Sequence, residues 1–134
     1  MQTLRNFILE SSLNINAFII LKPEFLKYKD EWITMLKNKG WQIVQQKEIQ
    51  MTKDQAEELY YMHKNKEWYN DLINYMISEK CVIAECHKSC DEPIKDMENI
   101  KHKFRDAYGI SETKNGMHSS DSLENVERES KIFF

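Results

Sequence analysis

Two side chains stand out for the chemistry they could do together. His118 lies in the stretch Asn115-Gly116-Met117-His118-Ser119-Ser120-Asp121-Ser122, and a carboxylate, Glu129, returns eleven residues later. A neutral imidazole is an adequate nucleophile near pH 7. A carboxylate on one ring nitrogen fixes the tautomer and leaves the other nitrogen free to attack. The spacing sets a condition. In one continuous helix, residues eleven apart lie about 16 Å apart along the axis, so the two could not touch. Gly116 and the serines break the helix before it starts, which lets the chain double back and lay His118 over the side of the helix that follows. On that helix Ser122, Val126 and Glu129 share one face, at i, i+4 and i+7. Val126 belongs inside, so Glu129 is drawn partly inward and needs a partner. The plainer alternative is a solvated histidine in a loop and a surface glutamate on a capped helix. The pattern alone leaves both open.

The rest of the chain must build elements that could position such a pair. Its 134 residues are 41% apolar and 31% charged, which fits one soluble domain with a proper core. The formal charge of −3 is too balanced for a general nucleic-acid or membrane surface. Met1–Asn14 lacks the basic start and apolar block of a signal peptide. No apolar run approaches the roughly 20 residues needed to span a membrane. These features point to a cytoplasmic protein. Cys81, Cys86 and Cys90 are an odd set, which argues against a disulfide framework and for a reducing compartment. His87 sits among them, but there is no C-x-x-C pair and no second half-site, so the cluster does not read as a metal site.

The pattern of elements is mixed. Ile15–Leu21 is a short apolar run ending at Lys22-Pro23, a strand buried on both faces. Asp30–Lys39 carries Trp32, Ile33 and Leu36 at helical spacing, with Gly40 as the stop. A second strand runs from Trp41 to Ile49. Thr52–Gln55 is a capping box that starts a helix towards His63. Lys66–Ile77 is amphipathic, with Trp68, Leu72 and Met76. Cys81–Cys86 is a third strand, and Pro93–Arg105 is helical in part. Ser120 or Asp121 caps a helix reaching about Lys131, and Ile132–Phe134 closes the chain as a final strand. Alternation with few strands predicts an α+β fold, a ferredoxin-like β-α-β-β-α-β sandwich with a four-stranded antiparallel sheet covered by helices.

Five stretches in order resemble the nucleoside diphosphate kinases, from about Asn16 to Phe134. The most specific, Asn115–Ser122, resembles that family's N-x-x-H-G-S-D-S signature, with Ser119 in the glycine position. "ERESKIFF" resembles the junction that carries the family's glutamate. "ILKPE" resembles I-K-P-D, "ELYYMHKNKEWYNDL" resembles H-Y…H…P-F-F-x-x-L, and "KFRDAYGI" resembles T-I-R-x-D-F-G-I. The chain then divides into an extension, 1–14, and a nucleoside diphosphate kinase-like domain, 15–134.

The resemblance implies a ping-pong reaction in which His118 takes the γ-phosphate of a nucleoside triphosphate and hands it to a nucleoside diphosphate. Glu129 would steady the ring and Ser120 would bond Glu129. Tyr60 would bring its hydroxyl near His118 and the γ-phosphate. Lys22 and Asn115 would contact the ribose and nearby phosphate, and Arg105 would grip phosphate oxygens. Trp68 stands where the family stacks a phenylalanine on the base, with Leu72 packed beside it. Mg2+ would bridge the phosphates, held mainly by substrate and water. His63, His87 and His102 match nothing and read as surface residues, and Asp121 as a cap.

One region departs from the family. Between the third strand and Arg105 it carries a long loop with R-x-x-x-G-x-T and P-G. Here the segment "HKSCDEPIKDMENIKHKF" is shorter and has neither. Lys95, Lys101, His102 or Lys103 are the candidates for the missing positive charge. Because that loop also builds subunit contacts in the family, the loss argues for a dimer or tetramer over a hexamer. A non-catalytic nucleotide-binding or scaffold homologue is the alternative to an active kinase. An RNA-binding sandwich is disfavoured by the acidic balance and the lack of an aromatic RNP motif.

Overall fold

The computed structural model describes residues 15–134, so the expected extension lies outside the described residues. Four strands form one antiparallel sheet: β1 (Ala17–Leu21), β2 (Gln42–Ile49), β3 (Cys81–His87) and β4 (Met117–Ser119), in the order β2-β3-β1-β4. Five α-helices are described: α1 (Lys29–Asn38), α2 (Lys53–Leu59), α3 (Tyr69–Met76), α4 (Pro93–Tyr108) and α5 (Leu123–Phe133). This is the α+β sandwich expected from the alternation of elements.

The sheet has an apolar cluster on each face, and β1 belongs to both. Ala17, Ile19 and Leu21 pack with Trp32 and Leu36 of α1 and Met97, Ile100 and Phe104 of α4. Phe18 and Ile20 point the other way, onto Ala56 and Leu59 of α2, Ile73 and Met76 of α3, and Val126 and Phe133 of α5. The period of two in a fully buried strand explains why β1 has no polar alternation. Thr52 and Gln55 form the reciprocal capping box that starts α2. Gly40, at φ +86°, ends the α1 turn in the left-handed region. Among the described residues no helix is long and apolar enough to cross a membrane.

Two expectations about the C-terminal quarter are corrected. The fourth strand is not Ile132–Phe134 but Met117–Ser119, inside the stretch expected to be a loop. It pairs antiparallel with β1, Ile20 opposite His118. Three residues are too few to show a period, and the pairing comes from β1. Ile132 and Phe133 instead continue α5. Phe133 follows Glu129 by four residues, so it extends the buried stripe of Val126 and Glu129 and stacks on Phe18 with ring centroids 5.7 Å apart. The cap of α5 is Ser122, whose Oγ accepts from the Asn125 amide at 3.0 Å, rather than Ser120 or Asp121.

Gly116 makes the turn into β4 possible. Its φ is +104°, and a Cβ placed there would lie 2.7 Å from the Phe104 ring. Its carbonyl accepts from the Lys22 amide at 2.9 Å, which ties the entry of β4 to the exit of β1. Gly116→Ala combines backbone strain with a clash against a packed ring and is expected to cost about 2 kcal/mol or more. Urea unfolding midpoints check this, and a variant as stable as the parent would contradict it.

Candidate active site

Alternation along β4 sends Met117 into the α1/α4 side of the core and His118 to the opposite face, over α5. There Glu129, in the second turn of α5, meets it: His118 Nε2 lies 2.6 Å from Glu129 Oε1. The two touch because His118 sits on a strand beside the helix, not in the same helix. Glu129 is 3% exposed. Its Oε1 also accepts from Ser120 Oγ at 2.8 Å, and Oε2 lies 3.5 Å from Arg128 Nη2. A buried carboxylate with these donors is an acceptor, so it selects the Nε2–H tautomer of His118. The lone pair is then on Nδ1, which has no hydrogen-bond partner among the described residues.

His118 and Glu129 line a cavity of about 430 Å³, a size suited to a small organic ligand. Lys22, Tyr60, Trp68, Leu72, Arg105 and Asn115 line it with them, so the expected residues converge. Ser120 is the exception, standing behind Glu129. Tyr60 presents its ring edge to His118, centroids 5.8 Å apart at 84°. Its hydroxyl is buried without a hydrogen-bond partner, as is Asn115 Oδ1. Burial, then the nearby Glu129 carboxylate, pushes the Tyr60 phenol upward, so it stays a donor. Orphaned buried groups of this kind are costly unless a ligand completes them. Leu72 is 6% exposed and belongs to the core as well as to the wall.

Trp68 is not on a helical face as the sequence suggests. It is the residue before α3, and 45% of it is exposed at the cavity mouth. His63, expected to be a surface residue, lines the cavity and packs on Trp68 with centroids 5.1 Å apart. His102 is exposed and pairs with Glu98, and His87 is half-buried beside Ser89. Asp121 accepts from Asn125 Nδ2 at 2.6 Å. Cys81 and Cys86 are buried, and burial pushes both thiols up to about 12.

The positive wall is built by Lys22, Lys101 and Arg105. Of the four candidates for the missing loop charge, Lys101 is the one on the cavity. Its signal was in the sequence: Lys101 and Arg105 are four apart on α4 and share a face. Arg105 Nε and Nη2 donate to the Met117 carbonyl at 3.3 and 3.1 Å, which braces the guanidinium against β4. Lys22 is 4% exposed, and the one hydrogen bond of its ammonium among the described residues is to the Thr113 carbonyl at 3.4 Å. Burial first, then the charges of Arg105 and Lys101, bring its ammonium down to about 7. Arg128 was also missed. Nη1 and Nη2 donate to the carbonyls of Glu58 and Leu59, at 3.0 and 3.3 Å, and so lock α5 to the end of α2.

An oriented histidine on one wall of a sandwich, facing clustered cations and an exposed indole, defines a site for moving an anionic group. The nucleoside diphosphate kinase model matches residues 16–134. The nucleoside diphosphate kinase of Thermosipho africanus is 39% identical over 128 residues, covering 88% of this chain and 87% of that one. That of Methanocaldococcus jannaschii is 33% identical, covering 88% and 91%. The crystal structure of the Aquifex aeolicus nucleoside diphosphate kinase matches with a TM-score of 0.78 at 25% identity, covering 88% of this chain and 93% of that one. The chain belongs to the nucleoside diphosphate kinase family. It is a phosphotransferase, and the non-catalytic alternative is not favoured.

A lysine held near neutrality by burial costs stability. Below pH 7 it is protonated both folded and unfolded, and the full cost is present. Between about 7 and 10.5 the unfolded chain binds the proton that the folded chain lacks, so stability rises with pH through that window. Lys22→Met is therefore expected to stabilise the fold by about 2 kcal/mol at pH 6, with a smaller gain at pH 9.5. Urea titrations at the two pH values measure it, and a gain that does not shrink with pH would refute the account.

Proposed function

We propose that this kinase works by ping-pong phosphoryl transfer through His118. The observation that carries the reading is the pairing of His118 Nε2 with buried Glu129, 2.6 Å away, which leaves Nδ1 as the free nitrogen on a cation-walled cavity. In the first half-reaction the Nδ1 lone pair forms a bond to the γ-phosphorus of a nucleoside triphosphate. The bond from that phosphorus to the β–γ bridging oxygen breaks, and the diphosphate leaves with its electron pair. In the second, a terminal oxygen of an incoming nucleoside diphosphate attacks the same phosphorus, and the P–N bond breaks with its pair returning to Nδ1.

The Nε2 proton stays on the ring throughout. Glu129 faces the positive charge that the ring gains when phosphorylated, while Ser120 and Arg128 hold Glu129 in place. Lys22, Lys101 and Arg105 take the phosphate oxygens, and Tyr60 donates to one of them. Asn115 Oδ1 accepts from a ribose hydroxyl, and the base stacks on Trp68.

A divalent cation suits this donor set as a passenger on the phosphates. Among the described residues no group of three or more His, Cys, Asp or Glu side chains converges to cage one. Asp121, exposed on the cavity wall, would help to hold its water shell. Mg2+ would there neutralise phosphate charge.

Incubation with Mg2+ and γ-labelled ATP tests the assignment. Wild type is expected to gain an acid-labile phosphoryl group that added nucleoside diphosphate discharges, and His118→Ala none. Glu129→Gln should slow adduct formation about 100-fold, because the ring is no longer held in place. Lys101→Ala should raise KM about tenfold with the adduct still formed, and Lys101→Arg should restore it, since one charge-assisted hydrogen bond is at stake. A label on His118→Ala would sink the nucleophile assignment.

The working form is a cytoplasmic homo-oligomer. The short connection between β3 and α4, residues 88–92, supports a dimer or tetramer. Sedimentation equilibrium should give the mass of two or four chains, and six would overturn this.

A further inference from the structure

The cavity that gathers three cations also carries a carboxylate with nothing to hold. Asp121 accepts from Asn125, and Glu129 from His118 and Ser120. Among the described residues, the Glu112 side chain has neither hydrogen bond nor ion pair, although Glu112 lines the cavity. Its backbone, by contrast, is pinned. Asn115 Nδ2 donates to the Glu112 carbonyl at 2.6 Å, and the Ile110 amide to the Lys114 carbonyl at 2.7 Å. The turn from α4 into β4 therefore presents a free carboxylate from a braced backbone.

For a site that takes a polyanion, a free carboxylate on the wall lowers affinity unless the ligand supplies it with donors. The nucleotide is oriented by its phosphates. They must reach His118, whose side chain is 17% exposed, and buried Lys22. The base is left at the mouth, against exposed Trp68. Glu112 is exposed at that mouth too. The part of a nucleotide that offers N–H donors there is the base edge.

We infer that Glu112 selects among bases, its carboxylate accepting hydrogen bonds from ring N–H and amino groups, with guanine favoured. Guanine offers two parallel donors, N1–H and the 2-amino group, to two carboxylate oxygens. Adenine and cytosine offer one amino group. Uracil and thymine offer one N–H flanked by two carbonyls that repel a carboxylate. Stacking on Trp68 is indifferent to base identity, so this carboxylate supplies the discrimination that stacking lacks.

The inference rests on the nucleotide-site reading above, and the experiment separates the two. GDP, IDP, ADP, CDP and UDP are titrated calorimetrically into wild type, Glu112→Ala and Glu112→Gln. Glu112 is exposed on a turn, so both variants should fold. Wild type is expected to bind GDP about tenfold tighter than UDP, the order expected for one bidentate pair, with IDP, which lacks the 2-amino group, between them. Glu112→Ala should remove the gap, with GDP weakened and UDP unchanged or tighter. Glu112→Gln, which replaces one acceptor by a donor, should close it chiefly by improving UDP.

An unchanged GDP-to-UDP ratio in Glu112→Ala overturns the inference. So does equal strengthening of all nucleotides, the mark of simple repulsion. Equal weakening does the same, as it marks a ribose or cation contact. If wild type binds all the diphosphates alike, base selection fails while the nucleotide site stands. If it binds none, both readings fall.

Discussion

The contact between Glu129 and His118 constrains much of the molecule around it. A carboxylate that is 3% exposed is tolerated only when its oxygens are occupied. Here the occupants come from three directions: His118 on a strand, Ser120 just beyond that strand, and Arg128 next door on the helix. Each needs the sheet and α5 to sit at one separation. Phe133 stacked on Phe18 and Val126 in the core below β1 set that separation by packing. Arg128 ties the same helix to the end of α2, the element that leads into Tyr60. Apolar contacts thus fix the distance, and the polar contacts then fix which nitrogen of the imidazole is free.

The second constraint is the exit of β1. Lys22 follows directly on a strand buried on both faces, so its ammonium is delivered into the interior side of the cavity. Its amide bonds Gly116, and its side chain faces Arg105 and Lys101. The protein keeps a desolvated cation next to two others, which packing alone would disfavour. Together with the unpartnered hydroxyl of Tyr60 and the unpartnered carbonyl of Asn115, this is local instability concentrated on one cavity. Each group is one that an incoming phosphorylated ligand could satisfy, so the cost in the free protein becomes differential binding in the complex.

Periodicity made β1, α1, the capping box of α2 and β3 legible in the sequence, because each has either a long apolar pattern or specific end chemistry. The final strand and final helix were exchanged. Ile132-Phe133-Phe134 has strand-like composition, yet the stripe through Val126 and Glu129 continues to Phe133. Met117–Ser119 is a strand only because β1 offers a free edge. The pairing of His118 with Glu129 followed from helix-face geometry and from resemblance. Trp68 as a residue before α3, His63 beneath it and Arg128 behind Glu129 depend on how turns and helices meet, which local pattern does not encode.

Lys101 shows how a shortened connection can leave positive charge on the cavity wall. With only residues 88–92 between β3 and α4, that connection does not reach the cavity. Instead α4 places two cations four residues apart along the flank of the stripe made by Met97, Ile100 and Phe104. The buried stripe fixes the rotation of the helix, and that rotation aims Lys101 and Arg105 at the cavity. Charge carried on a packed helix is held more rigidly than charge on a loop, and less backbone has to be ordered when the ligand arrives. What is given up is reach: α4 brings its cations beside His118, but it does not extend over the cavity mouth. The cavity mouth therefore stays open between Trp68 and the turn that carries Glu112, the two side chains to which the proposed reading gives recognition of the base.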